Sequence, residues 1–264
     1  MGAWWLRCSR RHGLVAHFPA SENAEGSMRS VYDYDSGRSL LRHIEPSFPN
    51  RNFLVSFLGE IAQPAHTYNA MGNANEVGVV IGETTHGGLA ELTSKTDGYI
   101  MDYGSLIYTT LQRASTAREA IALVDALTAE YGYFSSAEGF SITDGHEMWL
   151  MEVIGKGSFG KGLVWVAKKV PDGYITAHAN QGRITTFLPC DDPSTCLMAA
   201  YTVSFAIQRG YFQGAPDDTS FSFSDTYDPL TASGARFCEA RVWYIFSQVA
   251  DPSEFDAEFY LDYA

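Results

Sequence analysis

The chain has 264 residues, 31 acidic and 18 basic, which gives a formal charge of −13. With 45% hydrophobic and 14% aromatic residues, the composition is typical of a folded globular protein and excludes a disordered or fibrous one. The acidic balance argues against a nucleic-acid partner, which requires a basic face. Since no run of about 18 apolar residues occurs, the sequence also predicts no membrane span.

The first 60 residues are predicted to form an irregular N-terminal segment. Ser30–Leu40 is typical of two short strands around a turn, and Leu41–Phe57 has no clear period and is interpreted as a loop or an insertion. Regular structure is expected from near Thr67, within a single α+β domain over residues 61–264. Met1–Arg11 places an apolar patch before its cations, the reverse of a secretory signal, and the sequence does not identify a compartment.

Hydrophobic periodicity predicts the elements of the main domain. A buried strand is expected over Glu76–Thr85, and helices over Asp102–Arg113 and from Thr116, which forms a capping-box pattern with Glu119. Further strands are predicted at Phe140–Thr143, Glu147–Ile154, Leu163–Val170 and Tyr174–Ala179, and further helices at Cys196–Gln208 and Phe237–Val249. Because closely spaced strands favour hairpins, this order predicts an α+β fold with helices layered on a largely antiparallel sheet.

The four cysteines are Cys8, Cys190, Cys196 and Cys238. No Cys-x-x-Cys pair occurs, so neither a zinc ribbon nor a thioredoxin-type site is supported. The cysteines are therefore predicted to be reduced and mostly structural, with a Cys190–Cys196 bridge left open as the alternative.

Two local motifs are interpreted as turns. Gly155–Gly162 has the glycine spacing of a phosphate-binding loop, but Gly162 stands where that loop needs Ser or Thr, and a strand follows instead of a helix. His146 lies in a turn beside Asp144 and Glu147 without the spacing of a metal site. We expect a glycine-rich hairpin turn, a solvated histidine and no metal.

Four polar residues are candidates for a site. His86 and His178 lie at predicted strand ends, where a hydrogen-bonded structural histidine is more frequent than a catalytic one. Asn180 follows a predicted strand, so its amide could donate to an oxyanion or serve as a turn asparagine. Arg236 precedes an apolar helix, where a cation does not suit the helix N-terminus. It therefore requires an anionic partner, either a structural carboxylate or a substrate.

Several stretches, in this order and at these separations, resemble the dipeptidase A family of cysteine peptidases, relatives of the secernins. They are Gln63–Tyr68, Ala74–Gly78, Ile81–Thr85, Thr116–Ala120, Ala177–Gln181 and Arg236–Trp243. The resemblance runs from about Gly13 to Ala264, with Leu41–Phe57 as an insertion.

The resemblance implies an N-terminal-nucleophile hydrolase fold, a four-layer αββα sandwich of antiparallel sheets, incomplete in this chain. It also implies hydrolysis of short peptides, mainly dipeptides. In that chemistry the thiolate of an N-terminal cysteine attacks the carbonyl and the cysteine's own α-amino group moves the proton. No metal or cofactor is required, and the sequence leaves a homo-oligomer open.

The same resemblance assigns roles to three residues. Thr85 and Asn180 match positions of the oxyanion site, and Arg236 matches an arginine that organises the nucleophile. The family's nucleophile is followed by a strand and an Asp-Gly-Ser turn, whereas Cys8 lies between Arg7 and Ser9. We therefore expect a piece of a dipeptidase that lacks the nucleophile segment and the C-terminal part and is inactive as written, with Cys8 a poorly supported nucleophile.

Two alternatives remain open at this point. A degenerate member of the family would be a non-catalytic, secernin-like interaction or peptide-binding protein. A hydrolase of non-peptide acyl amides is the other alternative, because one fold hosts several activities.

Overall fold

The strands and helices come from a computed structural model that describes residues 17–33, 57–94 and 96–249. The strands are β1 (His17–Phe18), β2 (Ser21–Glu22), β3 (Met28–Tyr32), β4 (Phe57–Ala62), β5 (His66–Thr67), β6 (Ala70–Met71), β7 (Ala74–Asn75), β8 (Val80–His86), β9 (Ala137–Thr143), β10 (Met148–Gly155), β11 (Leu163–Lys169) and β12 (Cys196–Met198). The helices are α1 (Tyr103–Leu111), α2 (Ala117–Tyr131), α3 (Thr202–Arg209), α4 (Phe223–Tyr227), α5 (Ala232–Gly234), a π-helical turn (Ala235–Glu239) and α6 (Ala240–Ser247).

One antiparallel sheet organises the described chain. Its strand order is β1-β6-β7-β8-β9-β10-β11-β12, and two small strand pairs, β2-β5 and β3-β4, lie outside it. In the long central strands Glu152 of β10 lies opposite Gly139 of β9 and Val166 of β11. The α+β class with an antiparallel sheet is therefore confirmed.

Both faces of this sheet are buried. Side chains alternate between the faces along each strand, so Ile81, Phe140 and Trp149 pack with α1 and α2 in one core. The alternate positions, such as Ile154 and Val166, pack in a second core. That second core is completed by the chain from Ile184 onward, including Phe187, Val203, Phe221, Phe223 and Tyr227. Helices and loops thus cover the sheet on both sides.

Side chains cap the starts of α1 and α2, and the cap predicted at Thr116 is confirmed. The Asp102 carboxylate accepts the Ser105 N–H at 2.7 Å at the start of α1. At the start of α2, Thr116 Oγ1 accepts the Glu119 N–H at 3.1 Å. The Glu119 carboxylate reaches one residue further back than in the usual capping box, to the Ser115 N–H at 2.8 Å. Such N-caps typically contribute about 1 kcal/mol each.

The hairpin strands agree with the periodicity, and the strand predicted over Glu76–Thr85 begins at Val80, after a turn. Phe237–Val249 is helical as predicted, but its apolar residues Phe237 and Tyr244 are exposed.

Two further predicted elements differ in type. Tyr174–Ala179 is not a strand, because the segment crosses the face of the sheet and leaves Tyr174 and Ile175 exposed. Cys196–Gln208 is divided between β12 and α3. In both cases tertiary packing overrides local propensity.

Regular structure begins earlier than expected. Strands β1 to β4 precede Thr67, and β3 pairs with β4 across the predicted insertion. The first strand predicted within Ser30–Leu40 overlaps β3, whereas β1, β2 and β4 were missed because short strands carry little periodicity. Of the predicted insertion Leu41–Phe57 only Phe57 is described, and the second half of the predicted Ser30–Leu40 strand pair also lies outside the described residues. The division at residue 60 stays a prediction.

Cys190 and Cys196 form a disulfide, with their Cα atoms 5.3 Å apart. This corrects the prediction of reduced thiols at both positions. The turn between them brings the two residues together, since the N–H groups of Thr195 and Cys196 both donate to Asp192 O. Within the described part of the chain, Cys238 is the free thiol, whereas Cys8 lies outside it.

Candidate active site

Asn180 is held in a left-handed backbone conformation with φ of 56°, which is unfavourable for most residues with a side chain. Its N–H donates to Thr84 Oγ1 at 2.7 Å, and its Nδ2 donates to the Thr85 carbonyl. Its Oδ1 accepts from Arg241 Nη2 at 2.8 Å. These bonds fix both the backbone and the orientation of an amide that remains exposed.

The end of β8 presents its residues on alternate faces of the sheet. Thr84 pairs with Gly139 and shares a face with it, and this face is the one that the Asn180 segment covers. Thr85 points to the opposite face, where its hydroxyl donates to Glu83 at 2.8 Å. Thr85, predicted from the resemblance, therefore contacts Asn180 through its carbonyl, whereas the hydroxyl at Asn180 belongs to Thr84.

The arginine bound to Asn180 is Arg241. It donates to Asn180 Oδ1 and, at 3.2 Å, to Ala179 O. The predicted Arg236 is exposed, with its guanidinium 5.3 Å from the ring centroid of Phe237. Arg241 lies in the same stretch, Arg236–Trp243, that resembles the dipeptidase A family. The π-helical turn Ala235–Glu239 changes the direction in which the following side chains point. Sequence periodicity assumes a regular helix and does not reveal this change.

Asp228 anchors the segment that carries Asn180. Its Oδ2 accepts from Gln181 Nε2 at 2.8 Å and from the Gly182 N–H at 2.7 Å, and its Oδ1 accepts from the Gly88 N–H at 2.8 Å. His86 Nδ1 lies 3.1 Å from Oδ2. Burial by itself would raise the pKa of Asp228, but His86 and the backbone donors outweigh it and lower that pKa below the usual value. Asp228 is therefore an ionised clamp that sequence reasoning missed, because its partners lie up to 140 residues away.

His178 fixes the same segment to the sheet. Its Nε2 lies 2.6 Å from Ser141 Oγ, and a Cβ at Gly139 would lie 2.8 Å from its Nδ1, so only glycine fits there. Burial, with a smaller effect of His86 and Arg183, lowers the pKa of His178 to about 4. His178 is thus neutral near pH 7, and its contact with Ser141 agrees with the hydrogen-bonded structural interpretation, whereas His86 faces the Asp228 carboxylate.

A buried acidic residue completes the anchoring. Glu152 Oε1 accepts the N–H groups of Arg183 at 2.5 Å and Ile184 at 3.0 Å. Burial raises the pKa of Glu152, partly opposed by His86 and these two donors. The Arg183 side chain pairs with Glu239 of the π-helical turn. Residues 178–184 are therefore tied to the sheet, to Asp228 and to the helix that follows.

Comparison with known proteins identifies the family. The model for peptidase family C69 matches residues 46–259. The chain belongs to peptidase family C69.

The most similar relatives of this C69 chain include a probable dipeptidase of Salmonella dublin, 29% identical over 191 residues, which are 68% of this chain and 41% of the relative. A probable dipeptidase of Latilactobacillus sakei is 28% identical over 49% of this chain and 25% of its own. A dipeptidase of Bifidobacterium longum is 27% identical over 51% of this chain and 25% of the relative. The resemblance to the dipeptidase A family is confirmed, and the chain aligns with less than half the length of these relatives.

In this C69 chain the exposed edge of the site consists of an amide and a guanidinium. Asn180 Nδ2 carries two hydrogens, one of which is used by Thr85 O. A second hydrogen on a fixed amide, beside a permanent positive charge, suits a developing oxyanion. His146 is an exposed turn residue, as predicted, and no group of three or more ligating side chains in the described ranges could hold a metal ion. None of the described helices is long and apolar enough to cross a bilayer.

Proposed function

We propose that this chain is part of a peptide hydrolase of the dipeptidase type. That enzyme acts on short peptides, mainly dipeptides, through a cysteine thiol. The observation that carries this proposal is the exposed Asn180 amide, fixed by Arg241 and β8, in a chain of peptidase family C69. The dipeptidase names of its relatives support the substrate class.

In the proposed reaction the thiolate attacks the peptide carbonyl and forms a tetrahedral oxyanion. The free hydrogen of Asn180 Nδ2 donates to that oxyanion, and Arg241 acts as a positioning residue by holding Asn180 Oδ1. The carbon–nitrogen bond then breaks, and the leaving amine takes the proton that the cysteine's α-amino group received from the thiol. Water hydrolyses the resulting thioester and restores the thiol.

The remaining assignments from the resemblance are kept as parts of this proposal. Arg236 would organise the nucleophile, Thr85 would support the oxyanion site by accepting from Asn180 Nδ2 through its carbonyl, and the sheet would form part of a four-layer αββα sandwich. The nucleophile is an N-terminal cysteine, and Cys190 and Cys196 are bridged. Since neither Cys8 nor Cys238 has the sequence context of that nucleophile, we propose that the 264-residue chain by itself does not turn over dipeptides.

The test is a dipeptide-hydrolysis assay on the 264-residue chain and on a form extended by an N-terminal cysteine segment. We expect thiol-dependent turnover from the extended form alone. Absence of that turnover contradicts the proposed function, and Cys8-dependent hydrolysis by the 264-residue chain contradicts its inactivity. A fatty-acyl amide assayed in parallel separates peptide from non-peptide substrates.

Substitutions in the extended form test the role of Asn180. Asn180→Ala should lower kcat about 100-fold, as removal of an oxyanion donor does. Arg241→Gln should lower kcat less and add nothing to Asn180→Ala, because it acts through Asn180, whereas Arg236→Gln should be additive with it. Unchanged kcat in Asn180→Ala would remove Asn180 from the mechanism.

A further inference from the structure

The loop Gly155–Gly162 has no role in the candidate active site. The structure confirms that it is a hairpin turn between β10 and β11, with a short 3-10 turn at Gly157–Phe159. It brings Lys156 and Phe159 to the same side of the molecule as α3. The loop therefore forms one wall of a groove whose other wall is a helix.

The groove has a volume of about 390 Å³. The residues that form its helical wall are three or four positions apart in the sequence, so their side chains lie on one face of α3. The opposite face of the helix is buried in the core through Thr202, Val203 and Ala206. The groove is lined by Lys156, Phe159, Tyr201, Ser204, Phe205, Gln208 and Arg209.

Two crossed cation–π contacts hold the groove together. Lys156 Nζ of the loop lies 4.7 Å from the ring centroid of Tyr201 on the helix side. Arg209 Cζ of the helix lies 3.6 Å from the ring centroid of Phe159 on the loop. Because each contact joins one wall to the other, both cations are fixed against aromatic faces.

The charge of the groove is unusual in a chain with a formal charge of −13. In the described part of the chain neither Lys156 nor Arg209 is in an ion pair. Asp125 acts on Lys156 only at longer range, and Tyr211 interacts with both Arg209 and Glu91. Burial lowers the pKa of Lys156, so a bound anion would offset the cost of burying this charge.

Gly162 keeps the space beside Lys156 open. Its φ is 95°, and a Cβ there would lie 3.4 Å from Lys156 Nζ and 3.2 Å from Tyr201 Oη. A side chain at the residue that distinguishes this loop from a phosphate-binding loop would press on Tyr201 Oη and would be strained at this φ.

We infer that this groove binds a small organic anion, with a carboxylate or phosphate group held by Lys156 and Arg209. The rings of Phe159, Tyr201 and Phe205 would contact the apolar part of the ligand. This goes beyond the proposed function, because the groove shares no residue with the Asn180 site, and its test needs no catalytic turnover.

Isothermal titration calorimetry of the 264-residue chain tests the inference with phenyl phosphate, benzoate, inorganic phosphate and benzyl alcohol. Phenyl phosphate or benzoate should bind, inorganic phosphate more weakly and benzyl alcohol not measurably. Lys156→Met and Arg209→Gln should each weaken binding about tenfold, the effect of losing one charge-assisted contact. The matched control is Lys161→Met in the same loop, whose ammonium donates to Glu130 O outside the groove, and it should bind as the wild type does.

Circular dichroism establishes that each variant is folded before it is titrated. Absence of binding of both organic anions at millimolar concentration overturns the inference. Wild-type affinity in folded Lys156→Met and Arg209→Gln overturns the location of the site. Equal affinity for benzyl alcohol shows that charge is irrelevant, and equal affinity for inorganic phosphate shows that the rings are irrelevant; either result also overturns it.

Discussion

At the scale of single residues, the candidate site depends on conformations that few side chains tolerate. Among the described non-glycine residues Asn180 has the positive φ, and its side chain and N–H both bind the end of β8. An unfavourable backbone conformation of this kind persists where several neighbouring contacts hold it in place. The histidine two residues earlier is constrained as well, because Gly139 leaves just enough room for its ring.

His178 predicts how stability responds to acid. Its pKa is about 4 in the folded chain and about 6.5 when unfolded, so the unfolded state binds a proton that the folded state rejects. Its contribution to stability is therefore complete above pH 6.5 and is lost as the pH falls from 6.5 to 4. The slope is at most about 1.4 kcal/mol per pH unit.

Urea denaturation of the wild type and His178→Gln between pH 4.5 and 7.5 measures this effect. The free energy of unfolding of the variant should fall less steeply, because every other titrating group is common to both proteins. Parallel pH profiles for the two proteins would show that His178 titrates normally in the folded state.

At the scale of elements, two short irregular segments, a π-helical turn and a disulfide-closed loop, shape the chain around the regular helices and strands. The π-helical turn Ala235–Glu239 precedes α6, from which Arg241 reaches Asn180. The disulfide joins the loop before β12 to its first residue. Neither feature follows from hydrophobic periodicity, and the disulfide lies at the start of Cys196–Gln208, which was predicted as a single helix.

Removal of the disulfide should destabilise the chain modestly. Closing a loop from Cys190 to Cys196, a separation of 6 residues, restricts the unfolded chain by about 2 kcal/mol in the chain-entropy model. Cys190→Ala/Cys196→Ala should lose about that much free energy of unfolding in urea titrations, whereas the control Cys238→Ala should be little changed by comparison. Dithiothreitol should destabilise the wild type but not the double variant. Equal stability of the wild type and the double variant, each with and without dithiothreitol, would argue that the bridge does not form.

At the scale of the whole molecule, Asp228 joins parts of the chain that are remote in sequence. It binds the Gly88 N–H just after β8 and the Gln181–Gly182 segment that follows Asn180. It also faces His86, so one carboxylate connects the sheet, the site segment and the loop after α4. The geometry of Asn180 is therefore a property of the packed molecule.

Asp228→Asn should destabilise the protein by about 3 kcal/mol at pH 7, because an amide presents a donor to groups that themselves donate. The depressed pKa of Asp228 stabilises the folded state above the unfolded pKa of about 3.9. The difference between wild type and variant should therefore shrink as the pH falls below 4. Hydrogen exchange at Gly182 and Gly88 should accelerate in the variant.

Asp225→Asn is the matched control, since Asp225 is exposed on α4 three residues earlier. It should leave both stability and exchange at Gly182 unchanged. If Asp228→Asn behaved like this control, Asp228 would not anchor the Asn180 segment.

The sequence by itself determined the features that depend on neighbours a few residues apart. These are the α+β class, the helices α1 and α2 with the cap of α2, the hairpin strands β9 to β11 and the turn at Gly155–Gly162. Together with the family resemblance, it also singled out Asn180, whose role in catalysis stays a prediction. Periodicity, caps and turn residues act over one or two turns of chain, so local reading detects them.

Only the tertiary structure decided which groups meet at that site. It chose Arg241 as the arginine on Asn180, turned the Thr84 hydroxyl and not that of Thr85 toward the segment, and brought Asp228 to Gly88. Each choice depends on helix phase, strand register or contacts between residues up to 140 positions apart. Such contacts are set by how the elements pack together, and packing is a property of the folded chain that no local pattern contains.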